Sequence, residues 1–235
     1  MRPNKAPLIL ASEWGAHTQT EHAFKGYTVI ELDSDDRLLM LGVTGYGKTH
    51  FVREHVIKSY DRVIAHDLHG DYATDCERMS LAQLAANPAL VKRRRFRISI
   101  SPTATMDDNL RTSEFRDWVR LCAAIVRDTV IVAEEAGQWV ESRKAQQALV
   151  YLATQSRHWD CPFVMVAQRA KMVLPSARDQ ASVIVSFNQT SALDIKSLEP
   201  YFGRQAARLP TLKKGEYLYW RKGEGAQTDA QGKLL

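Results

Sequence analysis

Cysteine is scarce in this 235-residue chain: Cys76, Cys122 and Cys161 are odd in number, far apart and in no C-x-x-C pair. That excludes a disulfide framework and a cysteine zinc site, and it fits a reducing compartment. Long apolar runs are missing too. The runs at 38–41, 130–133 and 163–167 fall far short of the ~20 residues of a membrane helix. Residues 1–11 are short and interrupted by proline, so they do not read as a signal peptide. The expectation is a soluble, non-secreted protein with no membrane insertion. Glycine and proline number only 12 and 8 and hydrophobic residues reach 45%, which excludes collagen-like, low-complexity and disordered chains. Neither sign of charge dominates: 32 Lys and Arg against 27 Asp and Glu leave +5, which permits a polyanionic partner without requiring one.

What is present is a rhythm. Short runs rich in Val and Ile recur at 38–41, 62–65, 96–100, 129–133, 163–167 and 182–187, between amphipathic stretches of about 10 to 20 residues. Strands that are apolar throughout are buried on both faces, so the pattern predicts a parallel sheet between helices. Helices are predicted at 48–59, 80–86, 112–126, 142–157 and 191–201. The fold class is therefore α/β, three-layered, with a mainly parallel central sheet. Phe115, Trp118, Val119 and Cys122 share one face of the third helix and read as core. Residues 1–25 read as an N-terminal arm, 26–222 as one folded domain with an edge strand at 216–221, and 223–235 as a flexible tail.

The strongest signal is Gly42-Val43-Thr44-Gly45-Tyr46-Gly47-Lys48-Thr49, a complete G-x-x-x-x-G-K-[ST] between an apolar run and a helical pattern. Its glycines let successive N–H groups face the phosphates of ATP, with His50 following in the helix. Lys48 is suited to the β- and γ-phosphates and Thr49 to Mg²⁺. The run 129–133 then ends in Glu134 and Glu135. At the carboxyl end of a parallel strand these acids lie beside the P-loop, Glu134 on the metal side and Glu135 as general base. The competing reading is a solvated pair opening the next helix. A third run, 163–167, delivers Gln168, which can bond both the γ-phosphate and the attacking water, or can be merely a satisfied polar group at a strand end. Asp67-Leu68-His69-Gly70 matches a GTPase D-x-x-G, but it lies close behind Lys48 and no N-K-x-D follows, so a GTPase is excluded.

Together these residues resemble the FtsK/HerA superfamily of P-loop ATPases, of the ASCE/RecA-like type. Gly42 to Thr49 is similar to its G-x-[TS]-G-x-G-K-[ST]. His66-Asp67-Leu68-His69-Gly70-Asp71-Tyr72 is similar to the D-P-H-G-E-Y stretch of the HerA branch, and Ser156-Arg157-His158 through Ala167-Gln168-Arg169 to the G-R…A-T-Q-R-P block. Asp194 falls where these families often carry an aspartate. The resemblance spreads over about 150 residues with order and spacing kept. It implies a homo-oligomeric, usually hexameric, ring that hydrolyses ATP at subunit interfaces and moves double-stranded DNA. An arginine from the neighbour completes each site, and Arg157 matches it; Arg169 and Arg143 match less well. Two departures stand out: Glu-Glu replaces the usual Asp-Glu, and the flanking domains of HerA and FtsK proteins are missing. A bare core of this kind is most like the genome-packaging ATPases of tailless, membrane-containing phages, acting in the host cytoplasm or at a virion vertex with capsid or portal-vertex proteins. A cellular HerA-like translocase or helicase and a P-loop small-molecule kinase are the alternatives. A filamentous-phage assembly protein lacks its membrane helix here.

Lys92-Arg93-Arg94-Arg95 is the densest positive run, either a contact for DNA phosphates or a solvated turn before the third strand. His66, His69 and Asp71 have a metal-like look, but a strand end near the nucleotide accounts for them better.

Overall fold

The computed structural model describes residues 30–102, 107–137 and 142–226. The expected N-terminal arm and most of the expected tail lie outside these residues. The strands are β1 (Arg37–Leu41), β2 (Arg62–His66), β3 (Glu77–Met79), β4 (Phe96–Ile100), β5 (Val130–Ala133), β6 (Phe163–Ala167), β7 (Val183–Ser186), β8 (Leu218–Arg221) and β9 (Gly225–Ala226). They form one sheet of nine, ordered β3-β4-β2-β5-β6-β1-β7-β8-β9. From β3 to β7 every pairing is parallel; β8 and β9 add antiparallel to one edge.

The apolar strands sort their side chains by the two-residue period of the pleat. Leu39, Leu41, Ile64, Ile131, Phe163, Met165 and Ile184 enter one core, on the side of α3 (Asp108–Ile125) and α4 (Arg143–Gln155). Leu38, Met40, Val63, Val130, Val164, Val166 and Val185 enter the other, with Phe51, Val52 and Ile57. This is the expected three-layer arrangement, and its two filled faces explain why the strands show no apolar–polar alternation.

The helices follow the expected order with altered ends. α3 starts earlier than the spacing predicts, because Asp107 caps it by accepting from the N–H groups of Asn109 and Leu110. The single helix expected over 48–59 is instead α1 (Lys48–Val52) widening into a π-helical turn, Arg53–Ile57. The remaining helices are α2 (Leu81–Ala86), α5 (Pro175–Arg178) and α6 (Ala192–Phe202). Among the described residues no helix is long and apolar enough to cross a membrane.

His66, at the end of β2, packs its ring against Phe115 and Trp118, with centroids 5.2 Å from each. Burial, with Arg111 nearby, pulls its pKa down to about 4. Because an unfolded histidine titrates near 6.5, the folded chain binds fewer protons between about pH 6.5 and 4. Stability therefore falls as the pH drops through that window, by on the order of 3 kcal/mol from this group. His66→Gln should flatten the slope, as measured by urea unfolding between pH 7 and 4. An unchanged slope would place the acid sensitivity elsewhere.

Candidate active site

The P-loop turns out of β1 through three glycines with positive φ: Gly42 at 151°, Gly45 at 84° and Gly47 at 116°. Gly42 is the tightest. A Cβ there would stand 2.6 Å from Cβ of Phe187, so the loop leaves the sheet against a wall that only hydrogen fits. The loop is pinned on both flanks, since Val43 N–H donates to the Asn188 carbonyl at 3.0 Å and Gly215 N–H to that of Tyr46 at 3.1 Å. Thr44, Gly45 and His50 are exposed, whereas Val43, Tyr46 and Thr49 are half-buried. Lys48 is buried, and its ammonium donates to the carbonyls of Gly42 (2.6 Å) and Val43 (3.3 Å). Burial lowers its pKa, opposed by the charges of Glu135 and Glu134.

The strand order produces this meeting. β6 lies between β1 and β5, so the carboxyl ends of three adjacent strands present the P-loop, Gln168 and the two glutamates side by side. Glu135 takes a left-handed backbone, φ 49°, that swings its side chain back across the end of β6. There Gln168 Nε2 donates to Glu135 Oε1 at 3.1 Å. The Gln168 carbonyl accepts from Gln189 at 2.9 Å. The next residue, Arg169, donates to the buried carboxylate of Asp194 at 2.8 Å, and Lys171 N–H donates to the same carboxylate at 2.9 Å.

Glu134 is almost fully enclosed. Burial pushes its carboxyl up to about 7, against the hydrogen bond that Tyr72 donates to Oε1; the charges of Glu135 and Asp71 push it further up. Its other oxygen accepts from Glu135 N–H at 3.3 Å. Asp67 and Tyr72 lie in the 66–72 stretch, where nothing in the sequence marks a role for either. In the fold Asp67 accepts from the N–H groups of Asp71 (2.9 Å) and Tyr72 (3.0 Å) and from the Ser99 hydroxyl (2.8 Å). The partner residues are four, five and 32 positions away, and only the last distance hid from the sequence.

Magnesium fits the donor set. Thr49 and Glu134 offer a hydroxyl and a carboxylate, hard oxygen donors of the kind this ion takes, with the rest of its shell from phosphates and water. No group of three or more His, Cys, Asp and Glu that could hold a metal by itself occurs among the described residues, and the His66 ring is packed against Phe115 and Trp118.

Arg157 stands apart from these groups. It is exposed on the single turn Ser156–Trp159, before β6 begins, and so at the opposite end of that strand from Gln168. Arg143 and Arg169 follow the carboxyl ends of β5 and β6, at the P-loop's own end of the sheet. Lys92, Arg93, Arg94 and Arg95 are exposed on the turn before β4, also at the far end from the P-loop. That turn is held rigid by Arg62, whose guanidinium donates to the carbonyls of Val91, Arg93, Arg127 and Asp128 at 2.7–3.0 Å.

The chain superposes on the genome packaging NTPase B204 of Sulfolobus turreted icosahedral virus 2, bound to AMP, with a TM-score of 0.62 and 16% identity over 85% of this chain and 100% of that one. The fold is that of a P-loop NTPase. The DNA-packaging ATPase B204 of Sulfolobus turreted icosahedral virus matches at 0.59 and 17% identity, covering 81% of this chain and 94% of its own. The pCW3 conjugation coupling protein TcpA, with ATPγS, matches this chain at 0.53 and 15% identity over 84% of it and 60% of TcpA. No protein-family model and no curated protein sequence matches it.

Proposed function

We propose that this protein is an ATP hydrolase that drives double-stranded DNA through a homo-hexameric ring, filling a viral capsid. One observation carries the reading: Gln168 bonds Glu135 at the end of β6, and the P-loop with Lys48 follows the adjacent strand β1, so a base and a water-orienting amide stand next to the phosphate loop. That pairing suits water as the acceptor rather than a metabolite. In this reading Lys48 holds the β- and γ-phosphates, Glu135 takes the proton of the attacking water and Gln168 orients that water. Thr49 and Glu134 would hold Mg²⁺, which when bound neutralises charge on the phosphate oxygens. Arg157 serves the neighbouring subunit, and Lys92 to Arg95 contact DNA phosphates. The likeness to B204 over all of that chain supports packaging over a cellular motor. Capsid or portal-vertex partners, and a place at the virion vertex or in the host cytoplasm, follow from the same reading.

Phosphate release measured with and without duplex DNA tests it. Duplex DNA should raise turnover several-fold in the wild type and have no effect on Lys48→Ala. Absence of stimulation together with phosphate transfer to a metabolite would replace the motor by a kinase.

A further inference from the structure

We infer that Tyr72 is a positioning residue for the metal-side carboxylate, an inference that rests on the assignment of Glu134 to that role. Tyr72 is fully buried, and a buried phenol needs an acceptor for its hydroxyl; here the acceptor is Glu134 Oε1. The phenol is itself fixed from behind. Its N–H and that of Asp71 both donate to Asp67, whose carboxylate is fully buried and also accepts from Ser99 in β4. Asp67 N–H in turn donates to the Ile100 carbonyl at 3.0 Å. Gly70, at φ 75°, makes the turn that brings Tyr72 back over the sheet. A continuous chain of bonds therefore runs from β4 through Asp67 and Tyr72 to the end of β5.

Glutamate has one more rotatable bond than aspartate, so at the end of a strand it needs an outside contact to choose among rotamers. Tyr72 supplies that contact. Groups that orient a metal-binding carboxylate are typically worth about 10- to 100-fold in metal affinity.

The test is Mn²⁺ binding to the full chain saturated with ATPγS, read by loss of the free-ion EPR signal, with ATPγS affinity in EDTA measured alongside. Tyr72→Phe should weaken Mn²⁺ binding by about 10- to 100-fold and leave EDTA-state nucleotide affinity unchanged. Tyr72→Phe/Glu134→Ala should be no weaker than Glu134→Ala alone. Ser99→Ala reads the same chain of bonds from its far end, should Tyr72→Phe fold poorly, and should weaken Mn²⁺ in the same direction. Wild-type Mn²⁺ affinity in Tyr72→Phe or in Ser99→Ala, beside a loss in Glu134→Ala, would overturn the inference and leave the metal assignment standing. No loss in Glu134→Ala would overturn both.

Discussion

Glu135→Gln should bind ATP as tightly as the wild type and hydrolyse it about 10² to 10⁴ times more slowly. The substitution removes basicity and little else. The side-chain oxygen that accepts from Gln168 Nε2 survives in the amide, and glutamine tolerates the left-handed backbone at this position about as well as glutamate does. Single-turnover hydrolysis with a fluorescent nucleotide separates binding from chemistry. A turnover within a few-fold of the wild type would move the general base to another group. Substituting Glu134 gives the contrast, since in the proposed reading its enclosed carboxylate, bonded to Tyr72 and to the Glu135 N–H, holds the metal and does not take the proton.

Arg157→Ala should reduce hydrolysis by about 10³ to 10⁵ in the assembled ring and leave a lone subunit's residual rate unchanged. The reason is distance. β6 alone spans about 13 Å between the turn that carries Arg157 and the residue next to Gln168, so the guanidinium stands far from its own P-loop. In the proposed ring a neighbour placed end to edge would receive it, an arrangement that closes when the rotation is right. Mixing Arg157→Ala with Lys48→Ala subunits is the decisive measurement. Each variant is inactive by itself, but an interface with the intact P-loop of one and the intact Arg157 of the other restores turnover. Wild-type turnover in Arg157→Ala alone would show that Arg157 is a solvated charge at a turn, and a mixture as inactive as its parts would show that it does not act across the interface.

Much of this was legible because local chemistry and tertiary position agree. Six runs rich in Val and Ile became β1, β2, β4, β5, β6 and β7, since a strand buried on both faces has no room for polar side chains. The P-loop and the residues at the ends of β5 and β6 were legible for the same reason: strand direction alone carries them to one end of the sheet. β3 was hidden, because Glu77-Arg78-Met79 is short and mostly exposed and owes its existence to pairing with β4. The widening of the helix after Val52 left no mark in the spacing of apolar residues. The contact of Tyr72 with Glu134 joins residues 62 positions apart, and no periodicity encodes such a pair. The far-end location of Lys92 to Arg95 follows from strand direction, but only once 96–100 is known to run parallel to β2.

The described sheet has modest margins. β9 has two residues and β3 has three, so each rim offers a row of unpaired amides and carbonyls too brief to template another strand. At these described rims, copies of the protein that approach one another find no long strand edge to pair with. Contacts made at those rims fall to side chains, and contacts of that kind can slide, loosen and re-form, as the proposed motor would need.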